Sequence, residues 1–109
     1  MISHTQVEEY LLSFPNAKLE YPFGEKVAVY KVDDHMFALV QEGSQPVRLS
    51  LKCDPQLAQI LRERYESVMP GYHLNKKHWN TLLLSGQLPW DEVQDLIRLS
   101  YNLVAPRPN

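Results

Sequence analysis

Cysteine is almost missing from this chain: Cys53 is the only one among 109 residues. One thiol cannot close an internal disulfide, and it excludes both a zinc cluster built on cysteines and a paired-cysteine redox motif. Glycine is scarce as well. Gly24, Gly43, Gly71 and Gly86 each stand alone, so no glycine-rich loop of the P-loop or dinucleotide type is present, and no nucleotide cofactor is expected. Excess positive charge is also lacking, since 11 Lys and Arg face 13 Asp and Glu for a formal charge of −2. Affinity for a phosphate backbone comes mainly from Lys and Arg, so any nucleic-acid contact has to rely on a local patch. No apolar run approaches the roughly 20 residues of a membrane-spanning helix. The start Met1-Ile2-Ser3-His4 has no charged-then-apolar signal pattern, and the expectation is a cytoplasmic protein without membrane contact.

Catalytic motifs are missing too. No serine sits in a nucleophile elbow, and none of His4, His35, His73 and His78 forms the His-x-x-x-His spacing that puts two metal ligands on one helical face. His73 and His78 are an odd number apart, so on one strand they would point to opposite sides. The pairs Glu8-Glu9, Asp33-Asp34 and Asp91-Glu92 are sequence neighbours that capping or solvation explains. A helix start beyond Cys53 would favour thiolate, but a small half-buried residue closing a strand accounts for it more simply. No catalytic residue, metal or cofactor is assigned, and the chain is not expected to be an enzyme.

What is present is the composition of an ordinary globular protein, with 44% hydrophobic and 22% charged residues in a length suited to one domain over 1–109. Ser3 and Gln6 have the spacing of a capping box, and Val7, Tyr10, Leu11 and Phe14 follow on one helical face until Pro15. A short alternating strand covers Ala17 to Tyr21. Lys26–Val32 and Met36–Gln41 form a hairpin around Asp33-Asp34-His35, and Val47–Lys52 alternates, with Arg48, Ser50 and Lys52 on the wet face.

Asp54-Pro55 starts a helix whose apolar face is Leu57, Ile60, Leu61 and Tyr65. Pro70-Gly71 breaks the chain, and Trp79 to Leu84 reads as another strand. The last helix follows Pro89 with the stripe Val93, Leu96, Ile97, Tyr101 and Val104, ending in a frayed tail at 106–109. Four strands before Cys53 leave no room for crossover helices, so pairing should be antiparallel. The fold class is therefore α+β: a mainly antiparallel sheet of about five strands packed with three helices.

One segment stands apart. Gly71-Tyr72-His73-Leu74-Asn75-Lys76-Lys77-His78-Trp79-Asn80-Thr81 combines cations, amides and large aromatics, and nothing acidic lies between Glu66 and Asp91. A second acid-free stretch, Ser44 to Cys53, adds Arg48 and Lys52. Lysine and arginine suit phosphates, Asn75 suits base edges, and Tyr72 or Trp79 suits stacking, with His73 and His78 in the same patch. The plainer account makes Tyr72 and Trp79 packing residues, with Lys76, Lys77, Arg48 and Lys52 keeping a surface solvated.

The same string, together with Tyr21-Pro22-Phe23-Gly24, Met36-Phe37-Ala38, Leu51-Lys52-Cys53-Asp54-Pro55 and Pro70-Gly71, resembles the MmcQ/YjbR family of small bacterial proteins over nearly the whole chain. The resemblance implies a compact α+β fold similar to the "double wing" DNA-binding domain of the phage transcription factor MotA, and with it DNA as a partner. Its motif falls on Lys52, Tyr72, His73, Asn75, Lys76, His78 and Trp79 and brings no catalytic residues. Two other roles fit the same cluster: a pocket for a small molecule or anion held by His73, His78 and Asn75, or a protein-interaction surface marked by exposed Trp90 or Phe23. The chain is expected to be a monomer or a weak homo-oligomer.

Overall fold

A computed structural model describes residues 2–71 and 74–106, so the expected tail beyond Pro106 lies outside the described residues. Helix α1 (His4–Leu12) begins as its sequence dictates. The Ser3 hydroxyl accepts from the Gln6 N–H at 3.1 Å, and the Gln6 side chain accepts from the Ser3 N–H, satisfying two donors that a helix start leaves open. Strands β1 (Lys18–Glu20), β2 (Val27–Val32), β3 (His35–Gln41) and β4 (Arg48–Lys52) follow. Then come α2 (Pro55–Arg64), β5 (Val68–Pro70), β6 (Trp79–Leu83) and α3 (Trp90–Val104).

The strands form one sheet in the order β1-β2-β3-β4-β6-β5, with every neighbouring pair antiparallel. The described residues form six strands, where the sequence pattern suggested about five. The additional one is β5, whose three residues are too few to show alternation. It is an edge strand, the place in a sheet where Pro70 costs no ladder bond. The β2–β3 reversal is also tighter than expected. Asp33 and Asp34 alone make the turn, at φ 52° and 64°, and His35 already pairs with Val32. Two consecutive residues at positive φ suit the right-handed twist of a hairpin.

All three helices lie on one face of the sheet. Val7 and Leu11 of α1, Ala58 and Leu61 of α2, and Val93, Leu96 and Ile97 of α3 pack there with Ala28, Tyr30, Val40, Leu49, Leu51 and Leu82. At α2, Asp54 Oδ2 caps the Gln56 and Leu57 N–H groups at 3.1 and 3.2 Å, with Pro55 in the first position. The buried side of α2 is turned relative to the expected stripe, because Ala58 is buried and Ile60 is 54% exposed. Along α3, Ser100 joins the apolar stripe with no exposure at all. Its hydroxyl donates to the Phe37 carbonyl at 2.5 Å and accepts from the Lys52 N–H at 2.9 Å. The Phe37 carbonyl belongs to the place where the β2–β3 register slips between Tyr30 and Lys31. A bulge there leaves a backbone group for a side chain to satisfy.

Candidate nucleic-acid interface

Among the described residues, the opposite face of the sheet carries no helix. Strand alternation and the pairings Glu20–Val29, Leu39–Ser50 and Ser50–Thr81 set Val27, Val29, Leu39, Arg48, Ser50, Lys52, Trp79 and Thr81 on it. Near its middle, Val29, Leu39 and Trp79 form a small buried cluster, flanked by Val27, Met36 and Leu74. Leu74 comes from the loop before β6. A piece of the singular segment is thus folded over the sheet.

That loop is fixed from both sides. The Asn75 carbonyl accepts from the His78 and Trp79 N–H groups at 3.1 and 3.0 Å, while its Oδ1 accepts from the Lys77 N–H at 3.0 Å. Gly71 donates to the Trp79 carbonyl at 2.9 Å and comes so close that a Cβ there would lie 2.8 Å from that of Trp79. From α2, the Arg62 guanidinium donates to the Lys76 and Trp79 carbonyls and to Asn80 Oδ1, the last at 2.6 Å. Asn80 in turn donates to the Ala58 carbonyl. Sequence reasoning overlooked Arg62. Its role becomes visible only once α2 is seen to bury Ala58, four residues before it, which sets Arg62 on the side facing the loop.

Of the residues singled out from the sequence, Lys52, His78 and Trp79 come together at one end of the sheet. Lys52 pairs across from Trp79, and the Cys53 N–H donates to the His78 carbonyl at 2.7 Å. Arg48 shares the strand and face of Lys52, about 13 Å away at roughly 3.3 Å per residue. Asn75, Lys76 and Lys77 are exposed, and His78 is half-buried. Tyr72 and His73 lie outside the described residues. Trp79 was a stacking candidate, but its ring is only 7% exposed and serves as floor. Asn75 spends its amide oxygen on its own turn, and neither it nor His78 lines the concavity described next. Trp90 is half-buried, its ring 5.6 Å from that of Tyr10, whereas Phe23 is 64% exposed.

Beside this loop the open face hollows into a concavity of about 350 Å³, lined by Phe23, Val27, Leu39, Gln41, Arg48, Ser50, Leu74 and Thr81. Its floor holds a hydroxyl pair, Ser50 Oγ and Thr81 Oγ1, 2.8 Å apart. Arg48 meets no carboxylate among the described residues, whereas Lys31 on the same face pairs with Glu20 at 3.4 Å. On the helix side, burial and then the neighbouring Asp54 push the Cys53 thiol above its usual range, with Arg62 opposing. A thiol so placed behaves as a small core residue. Among the described residues no three or more His, Cys, Asp or Glu side chains are grouped to hold a metal ion, and no helix is long and apolar enough to cross a membrane.

Comparison with known proteins agrees with this architecture. The family model YjbR matches residues 12–103. The chain belongs to the YjbR family. An uncharacterized YjbR protein of Escherichia coli K12 is 36% identical over 97 residues, which is 89% of this chain and 82% of that protein. The uncharacterized YbdF of Escherichia coli O157:H7 is 35% identical over 93% of this chain and 83% of its own length. Among solved structures, Deinococcus radiodurans DR2400, a DUF419 protein, superposes with a TM-score of 0.90 at 37% identity, covering 94% of this chain and 78% of that one. A Pseudomonas syringae protein superposes at 0.81 with 29% identity, covering 94% and 99%. The YjbR relatives bring a fold and no activity.

Proposed function

We propose that this YjbR-family chain binds nucleic acid, DNA in the first instance, weakly and through the helix-free face of its sheet. One observation carries the reading: every described helix packs on the other face, leaving Arg48 exposed and Lys52 half-buried on a helix-free surface beside the loop of Asn75, Lys76 and Lys77. Lys and Arg there neutralise phosphates, and the buried Trp79 positions the loop. The sequence resemblance implies a fold like the "double wing" DNA-binding domain of MotA, an analogy at the level of fold that favours the same reading.

With three or four phosphate contacts, the logarithm of the affinity for duplex DNA should fall against the logarithm of salt with a slope of about −3. The test is a salt titration by fluorescence anisotropy on a short duplex. Lys76→Ala with Lys77→Ala should flatten the slope by about 1.8 at two lost contacts. An affinity indifferent to salt and to that double variant removes the reading.

A further inference from the structure

The concavity on the open face has a construction that phosphate contacts alone do not require. Phe23 stands 64% exposed at its rim, in the loop between β1 and β2, where nothing in the fold asks for an uncovered ring. Leu74 faces it as a second wall, and Leu39 and Val27 make an apolar base. Polar groups are few: the Arg48 guanidinium, Gln41, and the Ser50–Thr81 hydroxyl pair. At about 350 Å³ it stands at the small end of ligand sites, which run from about 300 to 1,000 Å³.

From this we infer that the hollow between Phe23, Leu74 and Arg48 is a subsite for one unpaired nucleotide. Its base stacks on Phe23 over Leu39, and its phosphate is held by Arg48. The inference rests on the nucleic-acid reading above and sharpens it. A paired base presents no ring face, so the subsite selects single strands, frayed ends or free nucleotides over intact duplex. The charge fits, since Arg48 has no carboxylate among the described residues and offers a planar fork of donors that matches phosphate. The ring fits because stacking on an aromatic side chain tolerates any base. The hydroxyl pair and Gln41 can meet base edges or sugar without demanding one sequence.

Anisotropy of a short labelled mixed-sequence oligonucleotide, alone and annealed to its complement, tests the subsite. The single strand should bind more tightly. Phe23→Ala should weaken it on the order of tenfold while changing duplex binding less than about twofold, and Phe23→Trp should restore it. Arg48→Ala should weaken the single strand and reduce its salt slope by about 0.7. Both side chains are exposed, and far-ultraviolet circular dichroism verifies that each variant is folded. Titration with dAMP, followed by amide shifts of Leu39, Ser50 and Thr81, identifies the source of the ligand. A response lost in Arg48→Ala supports the subsite with free nucleotides as ligands, and strand binding without a dAMP response supports it with the polymer. Equal affinity for strand and duplex, with Phe23→Ala silent but the lysine double variant weakened, overturns the subsite and keeps the surface. Binding of neither probe overturns both.

Discussion

The two faces of one sheet have been given different tasks by the same period-two alternation. On the helix face, Tyr30, Val40, Leu49, Leu51 and Leu82 are at most 3% exposed, and three amphipathic helices cover them. On the open face, Val29, Leu39, Trp79 and Thr81 are the buried residues among those described, and the apolar three are sheltered by one loop residue and by their neighbours. Burial costs nothing extra on the first face and excludes ligands from it. The second gives up part of that burial and keeps Arg48, Lys52 and a hollow in contact with water. A packed apolar side and a solvated cationic side are thus separated across a single layer of backbone.

The strongest test of the separation is a matched pair of truncations. Leu49→Ala, on the helix face, should cost about 2–5 kcal/mol, because the removed methyl groups leave a cavity that packed helices cannot close. Phe23→Ala, at the rim of the open face, should change stability by no more than about 0.5 kcal/mol. Urea denaturation measures both. Equal losses would mean that the open face is also structural, and the contrast would disappear.

Ser100→Ala sharpens the comparison at the place where α3 reaches the strand ends. The change strands the Lys52 N–H and the Phe37 carbonyl, both now satisfied by one hydroxyl. A buried pair left without partners costs about 1–3 kcal/mol. Lys52 lies at the basic end of the open face, so hydrogen exchange at its amide should quicken more than at Leu49. If the two amides respond alike, the loss is global rather than local.

Gly71→Ala has an effect of similar or smaller size on the other side. The new methyl group would meet Trp79 Cβ at 2.8 Å and Leu74 Cβ at 3.2 Å, both parts of the loop and floor of the open face. Overpacking of this kind costs about 1–3 kcal/mol, and here it should displace the loop rather than the core. Trp79 fluorescence should shift at native conditions, before any unfolding. An unchanged spectrum with unchanged stability would show the loop to be looser than its hydrogen bonds imply.

The helix face was legible in the sequence because its signals are periodic or local. Ser3 with Gln6, and Asp54 with Pro55, name their own caps, and alternation from Val47 to Lys52 names the two sides of β4. Errors arose where a signal was too short or was decided by distant partners. Val68–Pro70 has too few residues to alternate, and Ile60 lost its place to Ala58 because the sheet sets the rotation of α2. Ser100 and Arg62 look like surface residues until the Phe37 bulge and the loop carbonyls that they satisfy are in place. Alternation put Arg48 and Lys52 on one side of β4, but Lys31 of the same face was not singled out and the hollow was not foreseen, since Phe23, Leu39, Arg48 and Thr81 meet only through strand order.

The smallest effect at neutral pH concerns Tyr30, on the helix face. It has no exposure, and its hydroxyl has no hydrogen-bond partner among the described residues. Burial above all, then the charges of Glu8, Tyr21 and Glu42, hold its pKa well above the usual 10.0. Because the folded value is raised, the unfolded chain releases this proton first as pH climbs. The stability tied to the neutral phenol is complete below pH 10.0 and is lost as pH rises beyond it. Tyr30→Phe removes an unpartnered hydroxyl and keeps the ring, so at pH 7 it should be neutral or slightly stabilising, within about 0.5 kcal/mol. Above pH 10.0 the variant should lose stability less steeply than the parent, while Tyr21 and Tyr65, also raised, maintain a residual slope. Urea midpoints across the alkaline range would show it, and parallel curves for parent and variant would mean that the phenol is hydrated in the folded protein. In that case the helix face is less dry than its packing implies, and the division between the two faces is one of degree.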